Sequence, residues 1–352
     1  MKRFISIFLV TMMIFSLVAC GSNSSKKETS GEESRTITVT ALNGASETVE
    51  IEVPYDPQRI AVVDMAMLDI IDNLGLGDRV VGSSQTSLDY LQKYVTNKSV
   101  ANLGSIKEAD MEAIMECEPD IIFMGGRMSD SYDELSRIAP VVRLTADSSD
   151  GVLAGTKKNA QIIASIFGKE AEVEAKFTDF DSRIAALKEV AEGKTAVVGM
   201  CTSGSFNVVG DNGRCSVIGR EVGFENLGND TASNKDSESS EGSRGSRESG
   251  DSSKGSSGNG NSSNHGSEAS FELIVSLAPD YIFVMDRDAA IGTNGAQLAK
   301  DVMENELVMS TDAYKNGNLV ILEHPGIWYT AEGGITSFGI MLSDLESALL
   351  NK

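Results

Sequence analysis

Two arginines stand at matching places in a repeated stretch of this chain. ADMEAIMECEPDIIFMGGR ends at Arg127, and ASFELIVSLAPDYIFVMDR ends at Arg287. At a constant offset of 160 residues the copies align Glu112 with Glu272, Pro119 with Pro279, Asp120 with Asp280 and Phe123 with Phe283. Such a match reflects duplication of a unit and not composition. Arginine is a permanently charged, planar donor, so each copy delivers one fixed positive charge to its end. Other chemistry is sparse. The chain has two histidines, His265 and His324, too few for most metal hydrolases. His265 closes a serine-rich tract, either as spacer or as part of a site, and His324 follows a predicted strand as its competitor. No GxSxG elbow, HExxH pair or P-loop occurs. GLGDRVVG at 75–82 contains GxG, but its glycines precede a strand instead of leading into a helix, which argues against a dinucleotide site. The residues therefore favour a binding protein over an enzyme.

The elements that carry these residues read as a helix–strand unit. Each copy predicts a short helix with its glutamate near the start, a Pro-Asp stop, and an apolar strand too continuous to be half exposed. Ligands of open parallel sheets bind beyond the carboxyl ends of the strands, so each arginine falls at an expected ligand edge. The glutamates stand at the opposite end of each sequence unit. Further strands are predicted at 37–40, 49–53, 60–64, 80–83 and 141–144, then at 196–200, 206–209 and 319–323. The fold class is α/β, with two Rossmann-like lobes and a ligand cleft between them. Between the copies, Val173, Phe177, Phe180, Ile184, Leu187 and Val190 form one apolar stripe over 170–192. That spacing predicts a single connecting helix of about 35 Å, which would allow limited hinge motion. The expected domains are a lobe at 36–168, the connector at 169–193 and a second lobe at 194–352. An insertion at 230–264 interrupts the second lobe; 13 of its 35 residues are serine and 6 glycine, so it cannot offset the entropy of ordering.

The amino terminus reads MKRFISIFLVTMMIFSLVAC: two basic residues, a short apolar run, then Leu-Val-Ala-Cys. Residues 1–19 are expected to be a signal peptide. The last four residues resemble a bacterial lipobox, which would make Cys20 the lipid-bearing terminus, followed by a flexible tether over 20–35. The chain would then be anchored on the extracytoplasmic face of a membrane. Its formal charge of -22, or about -24 without Lys2 and Arg3, argues against nucleic acid and anionic lipid as partners. Cys117, Cys201 and Cys215 remain, as buried thiols or with one Cys201–Cys215 bridge.

VPYDPQRIAVVD, MEAIMECEPDIIF, the long connector and FELIVSLAPDYIF resemble the substrate-binding lipoproteins of ABC importers for ferric siderophores, cobalamin and haem. The likeness runs from about residue 36 to 352, the insertion apart. GGRMSDSYDELSRIAPVV, GDNGRCSVIG, NHGSEASFELI, VMDRDAAIG and IWYTAEGG are similar to the branch that binds catecholate siderophores. That resemblance implies Arg127, Arg214 and Arg287 as holders of the anionic catecholates. It implies His265 and Tyr329 as ligands that complete the coordination of a siderophore's Fe(III). It also implies one surface glutamate per lobe, Glu112 and Glu272, paired with permease arginines. No intrinsic cofactor is expected, and a monomer is. Haem or cobalamin binding, or a surface lipoprotein without a transport role, are the alternatives.

Overall fold

The structure, a computed structural model, describes residues 35–146, 151–229 and 263–351, with the backbone alone over 263–269. The expected signal peptide, Cys20, nearly all of the tether and the insertion up to residue 262 lie outside the described residues.

The first sheet comprises β1 (Thr36–Leu42), β2 (Thr48–Pro54), β3 (Ile60–Val62), β4 (Val80–Ser83), β5 (Ala101–Asn102), β6 (Ile121–Met124) and β7 (Val141–Arg143), in the order β2-β1-β7-β6-β3-β4-β5. From β7 to β5 the strands are parallel, and the β1–β2 hairpin closes one edge antiparallel. The second sheet comprises β8 (Thr195–Thr202), β9 (Ser205–Val208), β10 (Glu225–Asn226), β11 (Tyr281–Asp286) and β12 (Leu319–Ile321). Its parallel order is β10-β8-β11-β12, with β9 antiparallel to β8. The mixed α/β class agrees with the sequence reading. Only β5 and β10 were not anticipated, since two residues are too few to show a period.

The repeat is structural as well as sequential. β6 and β11 are both central and wholly buried. Before them, Glu118 and Ala278 both take a left-handed backbone, φ 42 and 44. The Oδ2 of Asp120 accepts from the backbone N–H of Gln58 and Arg59, both at 2.8 Å. That of Asp280 accepts from the N–H of Thr195 at 2.9 Å. Each Pro-Asp therefore pins the start of the neighbouring parallel strand, β3 in one lobe and β8 in the other. The helices differ between the copies. Met111–Glu116 starts where Asp110 caps it, its carboxylate accepting from Ala113 N–H at 3.0 Å. In the second copy nothing stops the helix at the equivalent place, so it runs over Ser263–Leu277 and Glu272 lies in its second half instead of near its start. Regular structure consequently resumes at Ser263, ahead of the expected boundary at 264.

The segment 170–192 is two helices and not one. Glu170–Phe177 and Phe180–Ala191 are separated by a turn at 178–179. There, Thr178 Oγ1 donates to the Ala175 carbonyl at 3.1 Å and Ser182 Oγ to that of Asp179 at 2.8 Å. Such side-chain bonds compete with the helical ladder. The apolar stripe survives because Phe177 and Phe180 meet edge to face across the turn, with ring centroids 5.7 Å apart.

Apolar packing divides by sheet face. Ala61, Val63, Ile122 and Met124 belong to a core outside the first sheet, and Val197, Ile282 and Val284 to one outside the second. Between the sheets a single continuous core takes in Val62 and Phe123 from one lobe, Val198 and Phe283 from the other, and Phe180, Trp328 and Leu342 from the intervening helices. The two lobes thus share one core. The C-terminal helix, Ile335–Leu350, is clamped into it from two sides. Asp69, fully buried on helix Met65–Asn73, accepts from the N–H groups of Thr336 at 3.0 Å and Ser337 at 2.9 Å. Arg183 forks onto Glu346, with both N···O distances 2.7 Å. Among the described residues, no helix is long and apolar enough to cross a membrane. Cys117, Cys201 and Cys215 are free, buried thiols, so no Cys201–Cys215 bridge forms.

Candidate functional site

Arg127 follows β6 across Gly125 and Gly126. A side chain at Gly125 would put its Cβ 2.1 Å from Asp64 Oδ2, so only glycine lets this turn approach the helix cap. Asp64 caps helix Met65–Asn73 through the N–H groups of Ala66 and Met67, at 2.9 and 3.2 Å. Its other oxygen lies 3.9 Å from Arg127 Nη1. Burial raises the Asp64 pKa against the pull of Arg127 and those N–H groups. Burial also lowers the pKa of Arg127, opposed by Asp64 and reinforced by Arg214. Arg287 follows β11 directly and opens the helix Arg287–Ala290, which Asp286 caps. Arg214 comes from the loop after β9, beside Cys215, whose φ of 65 is a strained value for a side-chain-bearing residue.

All three guanidinium groups converge on one ring. Tyr329 sits on the short helix Pro325–Thr330, buried alongside Trp328. The Cζ of Arg214 lies 4.4 Å from the Tyr329 ring centroid, that of Arg287 5.5 Å and that of Arg127 5.8 Å. Arg127 Nη2 donates to the Tyr329 carbonyl, joining the lobes. Arg287 Nε donates to the Tyr329 hydroxyl at 3.1 Å, and its Nη1 to Thr202 Oγ1 at 3.2 Å. Burial pushes the Tyr329 pKa up, but the hydrogen bond from Arg287 and the charges of Arg287, Arg214 and Lys107 together bring it below the ordinary value. Chemically this is a concentration of fixed positive donors around a phenol whose proton is held less tightly than usual.

Beside Arg214 opens a cavity of about 340 Å³, lined also by Val152, Asn212, Ser216 and Glu332. Glu332 was not singled out from sequence. Its Oε1 and the Oγ of Ser216 are buried without a hydrogen-bond partner. Burial raises the Glu332 pKa to about 7, against the opposing pull of Arg214 and the Cys215 N–H. A somewhat larger cavity, about 380 Å³ between Thr40, Thr145 and Ile162, touches none of the arginines; Lys158 and the buried, unpartnered Nδ2 of Asn159 line it.

The remaining expected residues fall elsewhere. The backbone of His265 lies in the first turn of helix Ser263–Leu277; its side chain lies outside the described residues. That helix spans about 22 Å, close to the roughly 20 Å of the six-residue β11. His324 does not join the arginines. Its Nδ1 is 2.6 Å from Asp344 Oδ1, and the other Asp344 oxygen accepts from Trp328 Nε1 at 2.8 Å. Glu323, His324 and Asp344 offer three potential metal-ligand atoms within 4.8 Å of one another, two of the residues being exposed. Glu112 and Glu272 are exposed on helices covering the outer sheet faces.

The family model described as periplasmic binding protein matches residues 60–325. The petrobactin-binding protein of Bacillus subtilis is 31% identical over 352 residues, 99% of either chain. Its crystal structure superposes with a TM-score of 0.71 at 30% identity, covering 89% of this chain and 99% of that one. The periplasmic catecholate-siderophore binding protein of Vibrio cholerae gives a TM-score of 0.69 at 28% identity over 88% of this chain and 100% of its own. A probable siderophore-binding lipoprotein of Bacillus subtilis is 26% identical over 360 residues, 99% of both chains. These relatives are named as binding proteins and not as enzymes, in agreement with the sequence reading.

Proposed function

Because the chain belongs to the periplasmic binding protein family, we propose that it captures an anionic ferric catecholate siderophore between its lobes and delivers it to the permease of an ABC importer. The observation that carries this reading is the convergence of Arg127, Arg214 and Arg287, from three separate segments, on the ring of Tyr329. A deprotonated catechol bound to Fe(III) has acceptors and no donor, so it requires fixed positive donors, and guanidinium groups also stack on its ring. Arg214 donates no hydrogen bond within the described residues and is therefore free to meet such a ligand. Tyr329, whose pKa the surrounding arginines lower, would serve as a hard phenolate ligand to the cargo iron where the siderophore leaves a position open, with His265 as the second. Glu112 and Glu272 would meet the permease. Lipidation of Cys20 would hold the monomer at the outer face of the membrane, a reading supported by the lipoprotein name of one relative.

The test is a titration of the mature protein with ferric bis- and tris-catecholates, ferric hydroxamates, haem and cobalamin, followed by quenching of Trp328. Tight binding confined to the catecholates is expected. Removing one charged partner from a desolvated complex costs about 2 to 5 kcal/mol, so Arg127→Ala, Arg214→Ala and Arg287→Ala should each weaken it at least tenfold. Wild-type affinity in all three variants would reject the arginine site, and preference for haem or cobalamin would reassign the cargo.

A further inference from the structure

Large apolar side chains exposed singly are ordinary on protein surfaces, but two of those in this molecule are related by the repeat. Met115 is 55% exposed and Val275 39%. They stand at the same 160-residue offset as Glu112 and Glu272. None of the other exposed large hydrophobics, Ile291, Leu298, Met309 and Leu350, has an exposed apolar counterpart at that offset. Each of the two lies three residues beyond its glutamate on a helix, which puts acid and apolar group on one face. The inward faces of the same helices are committed: Ile114 packs outside the first sheet, and Phe271 and Ile274 outside the second. The outward pairs are thus held rigidly and contribute nothing visible to folding.

We propose that Met115 and Val275 are the apolar halves of two equivalent contact patches, Glu112 with Met115 and Glu272 with Val275, that seat the protein on its permease. The inference rests on the docking role given above to the two glutamates. It adds that each permease socket pairs a basic group with an apolar pocket. Two patches of one pattern, one per lobe, call for a partner that presents two like sockets. Charge points to the same occupant. Glu108, Asp110 and Glu116 are exposed around the first patch and outnumber the exposed Lys107 there, so the complementary surface is basic at its rim. A second copy of this acidic chain would be repelled there.

The experiment measures uptake of radiolabelled iron, presented as a ferric catecholate, by cells producing the full chain. The variants are Met115→Gln with Val275→Gln, and Glu112→Gln with Glu272→Gln. Both proteins should bind the ferric catecholate within about twofold of wild type and unfold at the same temperature, since all four side chains are exposed. The apolar double variant is expected to lower uptake at least tenfold, and each single variant by less. Wild-type uptake in the apolar variant, with uptake lost in the glutamate variant, overturns this inference alone. Wild-type uptake in both overturns the docking role itself.

Discussion

Glu332 shows how neighbours decide the charge of a residue whose type does not. Its folded pKa of about 7 lies above the ordinary 4.5, so the folded chain holds this proton more tightly than the unfolded one. The stabilisation is complete below the unfolded value and is lost as pH rises through about 7. The charged and titratable groups acting on it are Arg214, Arg127, Glu221 and Cys215. Glu332→Gln should remove this dependence. In urea denaturation at pH 5 and pH 8, the variant's midpoint should gain on wild type at the higher pH; a constant difference would mean that Glu332 does not titrate across this range. Asp64 and Asp69 also have raised pKa values, but they remain in both proteins and cancel; the repulsion between Glu221 and an ionised Glu332 is absent from the variant, which favours it further at the higher pH. The residues of the site were unequally legible. Arg127 and Arg287 announce themselves through the repeat. Arg214 and Tyr329 have no periodicity to betray them and came only from the family likeness. Glu332 and Asp64 were missed because burial, which makes an acid informative, leaves no mark in the local sequence.

Most strands were read from sequence to within about two residues at each end, because continuous apolar runs such as Tyr281–Met285 have few other fates. The helices were less legible. An apolar stripe at helical spacing survives a two-residue turn, so the break at 178–179 was hidden by the very residues that bridge it. The clamp between helix Met65–Asn73 and the C-terminal helix was invisible as well, since it joins residues more than 260 apart. Asp69→Ala would leave the Thr336 and Ser337 N–H groups, the Tyr90 hydroxyl and the Asn73 amide without this acceptor. A loss of about 3 kcal/mol is expected, read as a lower urea midpoint with unchanged slope; a change below about 0.5 kcal/mol would show the clamp to be dispensable. The helix that starts at Ser263 supports a second prediction. Deleting 230–262 leaves that helix whole, and the variant should bind a ferric bis-catecholate within about threefold of wild type, roughly 0.7 kcal/mol. His265→Ala should weaken the bis-catecholate and shift its charge-transfer band, while sparing a tris-catecholate whose iron is already saturated. Equal effects on both ligands would return His265 to the spacer.

At the scale of the whole molecule, duplication accounts for the two sheets and the paired arginines, which sequence revealed, and for the matching Pro-Asp pins, which it showed only as helix stops. It did not reveal that the copies merge their inner faces. Nothing in either copy marks which face of its strand will be shared. With one core between the sheets, thermal unfolding should be a single transition by both tryptophan fluorescence and circular dichroism; two separated transitions would mean that the lobes melt independently. The same merged core bears on how cargo leaves. Parting the sheets enough to expose about 200 Å² of apolar surface costs about 5 kcal/mol. Thermal motion populates such an opened form only a few parts in ten thousand, so the free protein spends nearly all of its time closed. A transporter that unloaded its delivery protein by such an opening would have to supply that free energy through its own contacts with the two lobes.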